Sequence, residues 1–92
     1  MELSKILEER KKQYGTFFDH AHITQHFKRY VREHKSWNYM KVDQQEALDM
    51  VLHKIGRIIN GNPDNIDSWD DIAGYATLVA NRLREDAKGT TG

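Results

Sequence analysis

Apolar residues recur along most of this chain at the spacing of a helix, and no segment alternates apolar and polar residues as a strand would. Ala47, Leu48, Val51, Leu52, Ile55, Ile58 and Ile59 form one wide apolar face, opened by a capping-box-like pair, Asp43 and Glu46, and closed by Asn60-Gly61. That pattern predicts a helix over about 43–60. Trp69, Ile72, Ala76, Val79, Ala80 and Leu83 predict a second long helix over about 66–85. Between them, GNPDN carries the only proline of the chain and reads as a loop, so the two helices should make an antiparallel hairpin. The first half is less regular. Leu3, Ile6 and Leu7 suggest a short amphipathic helix over about 2–13, broken at Tyr14-Gly15-Thr16, and Ile23, Phe27, Tyr30 and Val31 mark another over about 19–34. The expectation is an all-α, four-helix bundle in a single domain, residues 1–86, with 87–92 as a frayed tail of small polar residues.

With 92 residues, such a domain buries only about 60 to 65% of its unfolded surface, which leaves it marginal unless association adds to the core. There is no cysteine to provide a disulfide or a thiolate metal site. No stretch is apolar for the length of a membrane span, and the charged N-terminus lacks the core of a signal peptide, so the expected setting is the cytoplasm. Fourteen basic and fourteen acidic residues cancel, yet residues 1–41 hold nine Lys/Arg against five Asp/Glu, and residues 42–92 hold five against nine. A basic half and an acidic half suit a site that meets phosphate from one side and a cation from the other; they also attract each other in folding.

On a helical wheel, Glu46, Asp49, His53 and Arg57 fall opposite the apolar face of their helix, with Lys54 at its edge. Alone, such a stripe reads as a solvated face. The next helix changes the picture, because Asp67 and Asp71 stand four residues apart with Asp70 between them, a repulsive spacing that a divalent cation would relieve. The helix dipole and an N-cap role for Asp67 would also account for these acids. Gly74, then Tyr75 and Leu78, follow, and a mid-helix glycine beside acids suggests close approach of a ligand or a partner helix. Oxygen ligands from Glu46, Asp49, Asp67 and Asp71 would select Mg²⁺ or Mn²⁺, and Lys54 and Arg57 would meet phosphates. Glu46 and Arg57 lie about 16 Å apart along the axis, too far to serve one ion. His20, His22 and His26 lack an acidic partner or fourth ligand for zinc. Among the aromatics, Tyr14 and Phe17 are placed best for stacking on a base.

Three segments, ILEERKKQYGTFFDHAHITQHF (6–27), EALDMVLHKIGRI (46–58) and DSWDDIAGYATL (67–78), resemble a group of small phage and prophage proteins, and through shorter matches the all-α NTP pyrophosphohydrolase (MazG-like) superfamily. The resemblance implies a Mg²⁺-dependent (or Mn²⁺-dependent) hydrolase that cleaves an NTP or dNTP to the monophosphate and pyrophosphate in a bacterial host cell. It places Glu46, Asp49 and Asp71 in catalysis and, with Asp67, at the metal; Lys54, Arg57, Tyr75, His53 and Tyr14 are the expected nucleotide-binding positions. It also implies a homo-oligomer, a dimer or tetramer, with no direct DNA or RNA binding. The first motif departs from EExxE at Ala47 and Met50, and Ser68 stands at the glutamate of the following ExxD motif if Asp71 is its aspartate. Two other classes therefore compete: a non-catalytic protein that sequesters a nucleotide or nucleotide-derived signal, and a structural helical adaptor.

Overall fold

Each helix predicted by the apolar spacing forms, and the ends differ where local hydrogen bonding decides them. The structure, a computed structural model, describes residues 2–91, with the backbone alone for residues 90 and 91. Helix α1 (Glu2–Tyr14) stops at Gly15, which adopts a φ of 75° and returns its N–H to the Lys11 carbonyl at 2.7 Å. This is a left-handed C-cap that a side chain would strain. Helix α2 (Phe17–Arg32) begins before residue 19 because Thr16 caps it, its hydroxyl accepting the Asp19 N–H at 3.2 Å.

Helix α3 (Lys35–Tyr39) was not expected, since five residues are too few to show a period. It is held by Trp37, which is buried with the Arg32 guanidinium 5.4 Å from its ring centroid and whose carbonyl accepts Gln45 Nε2 at 2.7 Å. Among the described residues there are thus five helices rather than four. Helix α4 (Val42–Asn60) is capped by Gln44, whose side chain accepts the Lys41 N–H at 2.9 Å. Asp43 is already helical, and its carboxylate takes two hydrogen bonds from Arg82. Helix α5 (Ile66–Thr91) continues past residue 85 into the segment expected as a tail, of which residue 92 lies outside the described residues. Ion pairs Arg82–Asp86 and Glu85–Lys88 link successive turns there and favour the helix over an irregular end.

Helix α4 is the central element, with α5 along one side and α2 along the other. The α4–α5 hairpin is antiparallel: Arg82 meets Asp43 at 2.7 Å and Asp71 meets Lys54 at 2.8 Å, so eleven residues along α4 match eleven back along α5. The other side of α4 meets α2 through polar residues. His53 and Asp49 face His20 and Arg32, and Gly56 lies against Thr24. Of the stripe expected to face solvent, Asp49 and His53 are therefore turned to α2 and half-buried, whereas Glu46 stays exposed. The buried residues are mostly polar: His20, Thr24, Lys54 and Ser68, beside Trp37 and Ala47. Thr24 satisfies itself by donating to the His20 carbonyl at 3.0 Å, which lets it pack without a partner on α4. The result is an elongated arrangement of 58 × 27 × 22 Å with a radius of gyration of 16.4 Å, against about 12 Å for a compact domain of this length.

Candidate functional site

The turn after α1 is clamped to the loop after α4. Asn60 Nδ2 donates to the carbonyls of Tyr14 and Thr16 at 2.8 and 2.9 Å, and the Asn62 N–H donates to Gln13 O at 2.7 Å. Gln13 Oε1 accepts Asn65 Nδ2 at 3.0 Å. The two backbones approach so closely that a Cβ on Gly15 would strike the Asn60 carbonyl, and one on Gly61 the backbone of Gln13 and Tyr14. This clasp sets Tyr14 beside the last turns of α4. The Arg57 guanidinium lies 4.3 Å from the Tyr14 ring centroid, and that of Arg10, one turn earlier on α1, lies 5.4 Å from it.

Around these groups is a cleft of about 480 Å³ between α1, α2 and α4. Its cations are Arg10, Lys11 and Arg57, its apolar wall is Leu7 and Phe17, and His20 and His53 complete it. None of the residues lining it, among those described, is acidic. Phe17 is 80% exposed and offers an open ring face, whereas the Tyr14 ring already carries two guanidinium groups.

His20 Nε2 and His53 Nδ1 are 3.2 Å apart with the rings edge-on, so one nitrogen donates to the other. That contact requires at least one neutral imidazole. Burial, then the neighbouring His20 and the Arg57 guanidinium, hold His53 down to about 4. His20 is lowered by burial and by Arg57. Both are neutral near pH 7, so the charge of the cleft rests on its arginines and lysine, and the pair adds uncharged donors and acceptors. Gly56 makes the pairing reachable: a Cβ there would sit 2.5 Å from Thr24 Cγ2 and 3.1 Å from His20 Cε1. An anion with several oxygens suits this arrangement, since guanidinium groups engage such oxygens in pairs.

Of the nucleotide-binding positions expected from the sequence, Arg57, His53 and Tyr14 line this cleft. Lys54 is buried against α5 in its ion pair with Asp71, and Tyr75 is half-buried on α5; neither lines the cleft. The carboxylates do not converge. Asp49 accepts from Arg32 at 2.8 Å, Asp71 pairs with Lys54, and Glu46 and Asp67 are exposed. The hairpin register explains the separation: Asp71 stands level with Lys54, eight residues from Glu46, or about 12 Å along the axis, and Asp67 lies a further turn away. Among the described residues no three acids or histidines gather as metal ligands. Sequence reasoning passed over Arg10, Lys11 and His20 as members of this site. The signal for Arg10 was present, because it precedes Tyr14 by four residues on one helix face.

Fold and site together define a small all-α protein with a cationic, aromatic-edged cleft at the end of its central helix. The chain belongs to the family described as Domain of unknown function (DUF6378), whose model matches residues 3–83. The matched stretch holds every residue of the cleft and all four carboxylates. No curated protein and no solved structure matches the chain. Among the described residues no helix is long and apolar enough to cross a membrane.

Proposed function

We propose that this protein binds a nucleotide, with its phosphates held by Arg10, Lys11 and Arg57 and its base against Phe17. The observation that carries this reading is the convergence of three permanent cations and an open aromatic ring on a cleft without a carboxylate. Its volume lies within the roughly 300 to 1,000 Å³ of small-molecule sites. The clasp that seats Tyr14 and Arg57 together pre-orients the guanidinium groups, so little ordering is needed on binding. The setting implied by the resemblance to phage proteins is the nucleotide pool of an infected bacterium, where a binder would sequester a nucleotide or a nucleotide-derived signal.

The second reading is the Mg²⁺-dependent pyrophosphohydrolase of a MazG-like bundle, whose four long helices would be α1, α2, α4 and α5. It is favoured by Asp49, whose Oδ1 is buried without a hydrogen-bond partner while Oδ2 accepts from Arg32. The carboxylates of one chain do not fit one ion, so binding is the leading reading and no hydrolytic step is assigned.

Titration calorimetry with a panel of NTPs and dNTPs, with and without Mg²⁺ or Mn²⁺, tests both, together with separation of the products. Retained, unchanged nucleotide supports the binder; monophosphate plus pyrophosphate supports the hydrolase. Arg57→Ala should weaken binding by roughly 1.5 to 3 kcal/mol, the worth of a charged hydrogen bond. It should also cost about 0.5 to 1 kcal/mol of stability through the lost stacking on Tyr14. Undiminished binding in Arg57→Ala would remove the cleft from consideration.

A further inference from the structure

We infer that a second copy of this chain covers the apolar side of α4, the side bearing Leu48, Leu52, Ile55 and Ile59, so that two copies close over one core. Around α4, at about 100° per residue, three directions are occupied in different ways. Asp43 and Lys54 point to α5, and Asp49, His53 and Gly56 point to α2. The Leu48–Leu52–Ile55–Ile59 stripe falls between those directions; among the described residues Leu52 and Ile55 in its middle are half-buried, while Leu48 and Ile59 at its two ends stay open to solvent. Leu48 is 43% exposed and Ile59 60%. Helix α5 repeats the arrangement. It turns Asp71 and Arg82 toward α4 and, of its apolar stripe, half-buries Ile72, Val79 and Ala80 while leaving Trp69 and Leu83 exposed.

A helical domain is stable when two layers bury their apolar sides against each other; here α2, α4 and α5 lie side by side and the remaining long helix, α1, packs on α2 and α4. No large side chain is fully buried among the described residues. The accessible surface is 7090 Å², whereas a compact monomer of 10.8 kDa exposes about 5,500 Å². The excess, roughly 1,500 Å², exceeds the ~800 Å² that each partner contributes to a standard interface, and it matches the larger, apolar interfaces of obligate homodimers. Charge favours the same occupant. The chain is neutral overall with a basic first half and an acidic second half, so a two-fold pairing can set the α2 side of one copy over the α5 side of the other. The inference is independent of what the cleft binds.

Sedimentation velocity and equilibrium test it directly. The wild type should sediment at twice 10.8 kDa or a higher even multiple at micromolar concentration, and Leu48→Glu and Ile59→Glu should sediment at 10.8 kDa with the helical circular dichroism largely kept. Phe18→Glu, on the outward side of α2, should leave the wild-type mass unchanged. Because a dissociated chain can also unfold, a nitroxide at Phe18→Cys, outside the inferred interface and unique in a chain without cysteine, supplies the second reading. Pairs of labels should give a dipolar signal that disappears on dilution with unlabelled protein. A monomeric wild type overturns the inference. So does an assembly that survives both glutamate variants, or one that dissociates with Phe18→Glu instead.

Discussion

Two glycine-to-alanine changes, one turn-for-turn substitution on each long helix, should shift stability in opposite directions. In a helix interior alanine is favoured over glycine by about 1 kcal/mol. At Gly74 nothing lies within 4 Å of the added methyl, and the position is off the apolar stripe of α5, so Gly74→Ala should gain nearly all of that. At Gly56 the same methyl would meet Thr24 Cγ2 at 2.5 Å and His20 at 3.1 Å, inside the ~3.5 to 4 Å of carbon contacts. Thr24 cannot swing aside without breaking its hydrogen bond to the His20 carbonyl, so α2 must move off by about 1 Å. Such overpacking typically costs about 1 to 3 kcal/mol. Against the propensity gain, Gly56→Ala should therefore fall between neutral and about 2 kcal/mol destabilising.

The two variants should differ by about 1 to 3 kcal/mol, and for a domain of this size each kcal/mol is about 4 to 8 °C in Tm. Thermal melts followed by circular dichroism at fixed protein concentration measure the difference. Moving α2 also separates His20 from His53, now 3.2 Å apart, so nucleotide affinity should fall in Gly56→Ala and not in Gly74→Ala. If Gly56→Ala melts at or above Gly74→Ala, the close approach of α2 and α4 is refuted.

The histidine pair sets an acid limit: His53 is held at about 4 against an ordinary 6.5, so between those values the unfolded chain takes a proton that the folded chain refuses. Stability should rise with pH across that window and be flat in this respect above it, His20 contributes in the same direction, and His53→Gln should flatten the slope in urea titrations. Asp71→Asn should destabilise by about 1 kcal/mol, discounted for the exposure of Asp71, because it strands the buried Lys54; a raised urea midpoint would mean that repulsion among acids outweighs the ion pair. Asn60→Asp should cost roughly 1 to 3 kcal/mol, since it sets a carboxylate against two carbonyls that now accept from Nδ2, and an unchanged melt would show that the clasp is dispensable.

How much was legible in the sequence follows from which interactions are local. The extents of α1, α2 and α4 came within about two residues because apolar period and end signals such as Thr16, Gly15 and Asn60-Gly61 act through neighbouring backbone groups. Helix α3 was not legible: Trp37 holds it through Arg32 and Gln45, eight residues on in the second case, and five residues carry no period. Helix α5 runs beyond the residue 85 that its apolar period predicts, since Ala87 to Thr91 carry no apolar repeat, while Arg82–Asp86 and Glu85–Lys88 pair between successive turns. Part of the candidate site was visible. Arg57, His53 and Tyr14 follow from residue type, but Arg10 and Lys11 join them through the clasp, which brings residue 13 to residue 62, and His20 through its contact with His53 across α2 and α4.

The same distinction accounts for the largest difference between expectation and structure. A helical wheel divides α4 into an apolar side and the Glu46–Asp49–His53–Arg57 side, and the ordinary inference sends the first inward. In this chain α2 and α5 pack on the flanks instead, because what waits there is chemically matched to polar residues: Arg32 for Asp49, His20 for His53, Asp71 for Lys54, Arg82 for Asp43. These pairs fix which helix lies on which side and in what register. The apolar face is only partly covered within the chain, Ala47 being buried, Val51, Leu52, Ile55 and Ile58 half-buried and Leu48 and Ile59 exposed, so its exposed part takes no share in that choice and would be covered only by the inferred second copy. If the inferred pairing holds, such a chain separates two tasks that one core usually performs together: polar pairs specify the arrangement within a copy, and apolar surface between copies adds to the stability. Substitutions among the pairs should therefore disturb register and the cleft, whereas substitutions at Leu48 or Ile59 should act through association.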